Sequence, residues 1–593
     1  MLTISFGNES YEMENESATL LADLIVRAGI MPDLRCGGMG ICGRCQVELQ
    51  FGEFLVDGIK ITVVQGQPQV ASACRTEVCS GPAAIVVPLE ATIHADGQIA
   101  IDYEQLPQPQ RSGCNLEIIA QSVASTYNWS LPAARELGQS LDGDNVSIWA
   151  AIPAGKTRRV AAVKNQPFIP LGVAIDIGTT TVAAVLVDWE NNAPLASVSA
   201  YNRQAVCGDN VASRISYSVA PGGLEKLRRL IVVETINPLL RRLLAETNRK
   251  SEDIVKVSVT GNTVMEHLFL GISPRSIGTL PFLPPLREFP ELTAAELGLA
   301  VNPAALVSLV PAIAGYIGGD LTAGIIASGQ HRDTQRTLLT DIGTNCEIIL
   351  CDGGQLYACA AAAGPAFEGA GIVCGSRAAG GAIDHIEINT NLQFHFTTID
   401  QAPPVGLCGS AIIDFLAEGF RSGLIDAFGR YNLEMLRQID RYLAIDYGHG
   451  TIHACVIARR RGGKIIHVSE ADIEQVLKAK AAVYSGIQTL LEQRGLTYAD
   501  LDTVYLAGGF ARYLRVENAV TLGMLPPLRD GVYRKIGNSS LAGAVMNLID
   551  PDFPDLAAAT IRRPQTIELN TVPDFENHYI DALMIPNCNA ADS

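Results

Sequence analysis

Positive charge is in short supply in this chain: 44 Lys and Arg stand against 62 Asp and Glu, a formal net charge of −18. So acidic a surface argues against nucleic acid and anionic membranes as principal partners. There is no uninterrupted apolar run of the ~18 residues that a membrane span needs. The nearest stretch, 307–327, is broken by Asp320 and several glycines and reads as a buried helix. The opening MLTISFGNESYEMENE lacks the basic and apolar segments of an export signal, so the expected compartment is the cytoplasm. In that reducing setting the 14 cysteines are metal ligands or core filler rather than disulfides. No G-x-G-x-x-G turn follows a strand-like run, so no nicotinamide site is expected.

What is present divides into several domains, since 593 residues exceed what one core usually holds, about 250–300. Residues 1–90 stand apart. A strand-like run, Leu2 to Phe6, and an amphipathic helix near 19–28 precede Cys36-Gly-Gly-Met-Gly-Ile-Cys42-Gly-Arg-Cys45, and Cys74 follows later, a spacing of C-x5-C-x2-C-x28-C. Four thiolates are what a [2Fe–2S] cluster requires, and the plant-type ferredoxin spacing differs by one residue in the first gap. A structural zinc site is disfavoured, because zinc knuckles use paired C-x2-C arms and one arm here is a single cysteine. Cys79 is a rival fourth ligand. The Ala73-Cys74-Arg75 setting resembles the ferredoxin fourth ligand, which favours Cys36, Cys42, Cys45 and Cys74.

Residues 91–111 are polar and proline-containing, as in a linker. Residues 112–168 alternate strand-like runs with one helix near 131–141 and read as a small α/β middle domain. Within it, Gly155-Lys156-Thr157 nearly completes a phosphate-binding loop, but the first glycine is missing and Pro153 interrupts it, so an ordinary turn is expected.

From 171 onward the chain is organised around one repeated pattern. Leu171–Ile175 meets Asp176-Ile177-Gly178-Thr179-Thr180-Thr181, and a second β-branched run follows. Two such runs joined by a glycine and hydroxyl residues predict a hairpin. Its tip offers amides and hydroxyls to phosphate oxygens, and Asp176 is placed to hold a hydrated Mg2+. At 338–350 the pattern recurs as Asp341-Ile342-Gly343-Thr344-Asn345 between strands. The glycine pair Gly508-Gly509 follows a third strand-like run. Paired hairpins with such a glycine turn resemble the acetate kinase–sugar kinase–heat-shock chaperone–actin (ASKHA) ATPases. That likeness implies two similar α/β lobes with ATP between them, adenosine lying on the glycine pair. Other segments stay open. Gly315 to Asp320 is either an approach to ATP or Mg2+ or a loop needing positive φ; Glu368 either orients water or is a helix-start acid. Lys480 either reaches a phosphate or lies on a solvated face, and His267 reads as a core-facing residue of a capped helix.

The order of ferredoxin-type domain, linker, middle domain and ATPase resembles, end to end, the reductive activators of corrinoid proteins, with DIGTTT, DIGTN-x-E, GPAFEGAGI, GLCGSAIID, LAGGF and GNSSLAGA as shared phrases. The expected fold is therefore multidomain α/β: a β-grasp-like [2Fe–2S] domain (α+β) at 1–90, the linker, the small α/β domain at 112–168, and a two-lobed ASKHA ATPase at 171–593. The resemblance implies an ATP-hydrolysing reductase that returns Co(II) corrinoid to Co(I) in a methyltransferase system. It implies a corrinoid protein as acceptor, a separate reductase or ferredoxin as donor, Mg–ATP as nucleotide and a homodimer as the assembly. Asp176, Asp341 and Glu368 take the catalytic roles, and Gly178, Thr179, Thr180, Thr181, Gly343, Thr344, Asn345, Gly508 and Gly509 hold the nucleotide. Two other classes compete. An activator of radical-type dehydratases lacks a ferredoxin domain, and a redox-sensing kinase or binding module would phosphorylate a small molecule.

Overall fold

The computed structural model describes residues 1–586 except 15–18, 33–44, 89–113, 120–127, 141–147, 154–158, 460–464 and gaps of one to three residues. Among the described residues no helix is long and apolar enough to cross a membrane.

Near the N-terminus, helix α1 (Leu21–Arg27) buries Leu21, Leu24 and Ile25 against an eight-stranded sheet. The spine of that sheet is β1 (Gln46–Val56), whose alternation puts Val47, Leu49 and Phe54 inside. It pairs with Ile59–Val63, β2 (Gln69–Ser72), Thr76–Val78 and Ala83–Val86. A second, three-stranded sheet joins Cys114–Ile119, Ile148–Pro153 and Ala162–Lys164, with the helix Leu131–Ser140 beside it. Ala133, Ala150, Ile152, Val160 and Val163 form a small core between this sheet and its helix, joined by Ala304 from beyond 171. The unit's Ala151, Ala161 and Ala162 share an apolar cluster with Ala174, Val185 and Leu548 of the segment beyond 171.

Two six-stranded sheets follow. In the first lobe, β3 (Leu171–Ile177) and β4 (Thr181–Asp188) form an antiparallel hairpin extended by Ala193–Tyr201; β5 (Ile254–Gly261) runs parallel to β3, and Leu306–Leu309 parallel to β5. In the second, β6 (Thr337–Ile342) and β7 (Cys346–Asp352) form the hairpin, Gln355–Ala361 extends it, β8 (Thr503–Ala507) runs parallel to β6, and Val532–Gly537 parallel to β8. The pairing scheme is the same in both, so equivalent residues occupy equivalent places. Asp176 sits opposite Ala183 and beside Thr260; Asp341 sits opposite Glu347 and beside Ala507.

Five further helices matter to the site: α2 (Val211–Ser218), α3 (Thr263–Leu270), α4 (Gly319–Ala327), α5 (Glu470–Gln493) and α6 (Ser539–Ile549). The apolar stretch 307–327, expected as one helix, is a short strand, a connecting turn and α4. Its internal glycines and Asp320 interrupt the helical pattern and place the break. Helix α6 packs on β3, β5 and α4, and two helices follow it. Its contact with α4 is backbone-close. A Cβ added at Gly543 would lie 2.6 Å from the Ala323 carbonyl oxygen.

That crossing gives a direct check on the packing. Gly543→Ala is expected to destabilise the two-lobed unit by about 1–3 kcal/mol, read as a lower urea midpoint. An unchanged midpoint would mean that α4 and α6 are not in backbone contact.

Candidate functional site

The two hairpin tips converge, since β3 and β6 both end at the cleft between the lobes. A cavity of about 330 Å3 lies there. Every nucleotide-site residue expected from sequence lines it: Asp176, Gly178, Thr179, Thr180 and Thr181 from the first lobe, and Asp341, Gly343, Thr344, Asn345, Glu368, Gly508 and Gly509 from the second. The tips touch, with the Thr180 and Thr344 hydroxyls 3.4 Å apart. Thr344 donates to Glu368 Oε1 at 2.9 Å, which ties Glu368 to the second tip. Gly508 has φ +93°, and a Cβ there would lie 2.8 Å from Asp341 Oδ1. Only glycine lets the backbone pass so close to that carboxylate.

Several lining residues carried no assigned role in the sequence reading. Asn262 caps α3 by accepting from the Met265 amide and donates to Thr179 Oγ1 at 2.9 Å. From α6 and the residue before it, Ser540 Oγ and Asn538 Nδ2 each donate to Asp176 at 2.9 Å. Glu347, opposite Asp341, also lines the cavity. So does Asp320 at the start of α4, from the Gly315 to Asp320 segment read above as either an approach to ATP or Mg2+ or a positive-φ loop. That segment's Gly315, Gly318 and Gly319 have no positive φ. Phe367 stacks on Phe510 at 5.0 Å, forming an aromatic wall. Such partners are up to 364 residues apart in the chain, and only the capping turn at Asn262 leaves a local trace.

Two residues lie elsewhere. Lys480 is buried in α5 and donates to the Met584 carbonyl at 2.6 Å, so it neither reaches the cavity nor faces solvent. His267 is buried, its Nδ1 2.6 Å from the Thr263 carbonyl while Nε2 accepts from the Leu286 amide, a packed role. Gly155 to Thr157 lie outside the described residues.

Crowding of carboxylates sets the electrostatics. Burial, reinforced by Asp176 and Asp341, pushes Asp320 up to about 8, and burial with Asp176 nearby pushes Asp341 up to about 7. Burial raises Asp176 as well, although its bonds from Asn538 and Ser540 work the other way. Glu347 is raised well above the carboxylate range by burial and then by Asp320 and Asp341. Among the described residues no three of these groups converge tightly enough to encage a bare ion. A Mg2+ here would keep much of its water shell, which suits an ion that also binds phosphate.

For the cluster, Cys45 and Cys74 are both buried, and the Ala73 amide donates to the Cys45 carbonyl at 2.8 Å, which brings the two cysteine segments together. The Cys79 amide donates instead to Glu53, further along β1. Neighbouring buried thiols on converging loops are a donor set that suits iron–sulfur ligation. Cys36 and Cys42 lie outside the described residues.

Comparison with known proteins follows the same division. Residues 335–592 match the family described as the C-terminal domain of RACo, the ASKHA domain, and 171–333 match the RACo middle region. The solved structure of a reductive activator for corrinoid, iron–sulfur protein is 31% identical, covers 99% of each chain and superposes with a TM-score of 0.74. The chain belongs to the RACo family. Within the family, this RACo chain is 28% identical over 591 residues to the corrinoid activation enzyme RamQ of Eubacterium limosum, covering 96% of both. It is 26% identical over 409 residues to the [Co(II) methylated amine-specific corrinoid protein] reductase of Methanosarcina barkeri, covering 63% of this chain and 68% of that one. The RACo middle region is thus the first lobe of the cleft, whereas the small sheet at 114–164 precedes it.

The raised carboxyls have a measurable consequence in this RACo chain. Folded, it retains protons on Asp341 and Asp320 that the unfolded chain releases near pH ~4. Nucleotide-free stability from these groups is therefore present at low pH and lost as pH rises through about 7 to 8. The melting temperature should fall between about pH 5 and 8, and fall less in Asp341→Asn. Equal slopes in the two proteins would show that Asp341 does not titrate in this range.

Proposed function

We propose that this chain is an ATP-dependent one-electron donor that returns a protein-bound Co(II) corrinoid of a methyltransferase system to Co(I). The observation that carries the reading is the joining, in one RACo chain, of a buried thiol pair on a ferredoxin-type sheet to two facing hairpins around one cavity. The names of its relatives, a corrinoid activation enzyme and a Co(II) corrinoid protein reductase, support the acceptor. In this reading a separate reductase or ferredoxin supplies the electrons, and the active form is a cytoplasmic homodimer.

Thr179, Thr180, Thr181, Gly343, Thr344 and Asn345 bind the ATP phosphates through hydroxyls and tip amides. Gly508 and Gly509 receive the adenosine. Asp176 and Asp341 orient a hydrated Mg2+ from opposite lobes. Glu368, held on Thr344, stands ready to orient water at the second tip, and Asp320 is a second carboxyl on the cavity able to accept its proton once ionised. Cys36, Cys42, Cys45 and Cys74 hold a [2Fe–2S] cluster, which supplies one electron at a time at a potential near roughly −400 mV.

The ligand set is tested by iron content. Purified without oxygen, the protein should carry about two irons per chain; Cys74→Ala should lose them and Cys79→Ala should keep them. A cluster retained in Cys74→Ala would reassign the fourth ligand.

The activity is tested by mixing the pre-reduced protein with a Co(II) corrinoid protein and following the Co(I) absorption. Co(I) should accumulate with Mg–ATP and stall without it. Asp176→Ala and Asp341→Ala should cut ATP hydrolysis roughly 10–100-fold and behave like omission of ATP, while Cys42→Ala should abolish reduction. Equal reduction without nucleotide would replace this reading with a redox-sensing ATPase.

A further inference from the structure

A cluster of carboxylates faces the cavity where the proposed nucleotide phosphates lie, and among the described residues no Lys, Arg or His lines it. Arg214, on α2, is fully buried directly behind the first hairpin tip. Its Nη2 donates to the Thr179 carbonyl at 2.5 Å, Nε to the Gly208 carbonyl at 2.9 Å and Nη1 to Gln204 Oε1 at 3.2 Å, with Met265 Sδ also 3.2 Å from Nη1. All four acceptors are neutral. Burial, the larger effect, brings this guanidinium down to about 10, still charged at neutral pH, while the carboxylate of the exposed Asp209 acts on it without a hydrogen bond.

The same contacts orient the tip. Asn202 Nδ2 donates to the Gly178 carbonyl at 2.9 Å, and the Asn202 amide donates to the Thr180 carbonyl at 2.9 Å. With Arg214 on Thr179, three successive carbonyls are turned back into the lobe. In a trans peptide the N–H points away from the C=O of the same unit, so the amides of Thr179 and Thr180 are directed away from Arg214 and Asn202, to the side of the cavity these residues line.

We propose that Arg214 is a positioning residue for nucleotide binding: it holds the first tip with its amides toward the phosphates and supplies the buried positive charge that the phosphates complete. The inference rests on the phosphate-site reading above, and the two fail separately. If Mg–ATP does not raise the melting temperature of the wild-type full-length protein, the site reading fails.

If it does, Arg214→Met and Arg214→Lys decide the inference. In Arg214→Met the nucleotide-free melting temperature should change little, because the cost of burying the charge is removed while three buried acceptors lose their donor. The Mg–ATP-induced shift should shrink, and the ATP KM should rise about tenfold or more with a smaller change in kcat. Arg214→Lys, which keeps the charge but cannot span the same acceptors, should fall between. A purely structural arginine would lower the melting temperature equally with and without nucleotide and leave KM unchanged. That result, or a KM loss that Lys does not partly restore, overturns the proposal. Should Arg214→Met not fold, the KM of Arg214→Lys decides alone: raised supports the inference, unchanged overturns it.

Discussion

A carboxylate on a strand of one lobe is held by groups at the head of a helix that follows an edge strand of the other. Asn538 and Ser540 both donate to Asp176, and Asn538 at the same time caps α6 by accepting from the Leu541 amide. Hydrogen bonds to a charged group are worth about 1.5–3 kcal/mol each, and more is lost when the charge is left buried and unpaired. The position of α6 therefore depends on Asp176, and the end of β3 depends on α6. Any movement separating α6 from β3 must break both bonds. The close passage of Gly543 over Ala323 then fixes α4, whose first turn carries Asp320 into the cavity. The first tip, the helix crossing and the cavity floor are set by one contact.

The duplicated sheet explains why acidity accumulates here. Each lobe ends its central strand in an aspartate at an equivalent register position, and bringing the two ends together brings like charges together. Glu347 and Asp320 add to the same space. In the absence of a cation the cost appears as raised carboxyl pKa values. A hydrated divalent ion bound there as proposed would relieve it, and phosphates would then be attracted to the ion and to the tip amides. A cleft that is electrostatically uncomfortable when empty is one that Mg–ATP stabilises strongly.

How much of this could be read from sequence follows from distance along the chain. Each hairpin is a local pattern, an apolar β-branched run, Asp-x-Gly with hydroxyls, and a second run, so Asp176, Asp341 and their tips were legible. The cysteine spacing and the Asn262 cap are local as well. Asn538 and Ser540 were read only as a helix start, because their contact with Asp176 spans more than 360 residues. Arg214 left no signal: an arginine on an amphipathic helix looks solvated until the tertiary fold buries it. Lys480 shows the same failure in another place, a charged residue on a long helix whose partner, the Met584 carbonyl, lies in the C-terminal segment.

The coupling of nucleotide to electron transfer imposes a further requirement. For a one-electron step every ~59 mV of uphill gap is a factor of ten in the equilibrium. ATP shifts that balance only by interacting differently with two states of the assembly. The nucleotide site must then be in mechanical contact with the unit that carries the thiols. One stretch meets this condition. Val206 packs against both the ferredoxin-type core and the core of the first lobe. It lies in the Arg203–Cys207 turn, between Asn202, which grips the Gly178 and Thr180 carbonyls, and Arg214, which grips that of Thr179. Asn202 and Arg214 hold the first tip, and the segment joining them carries Val206 against the N-terminal core. The thiol-bearing domain and the nucleotide loop thus share a short, hydrogen-bonded support, so nucleotide need not act through the small intervening sheet to reach it.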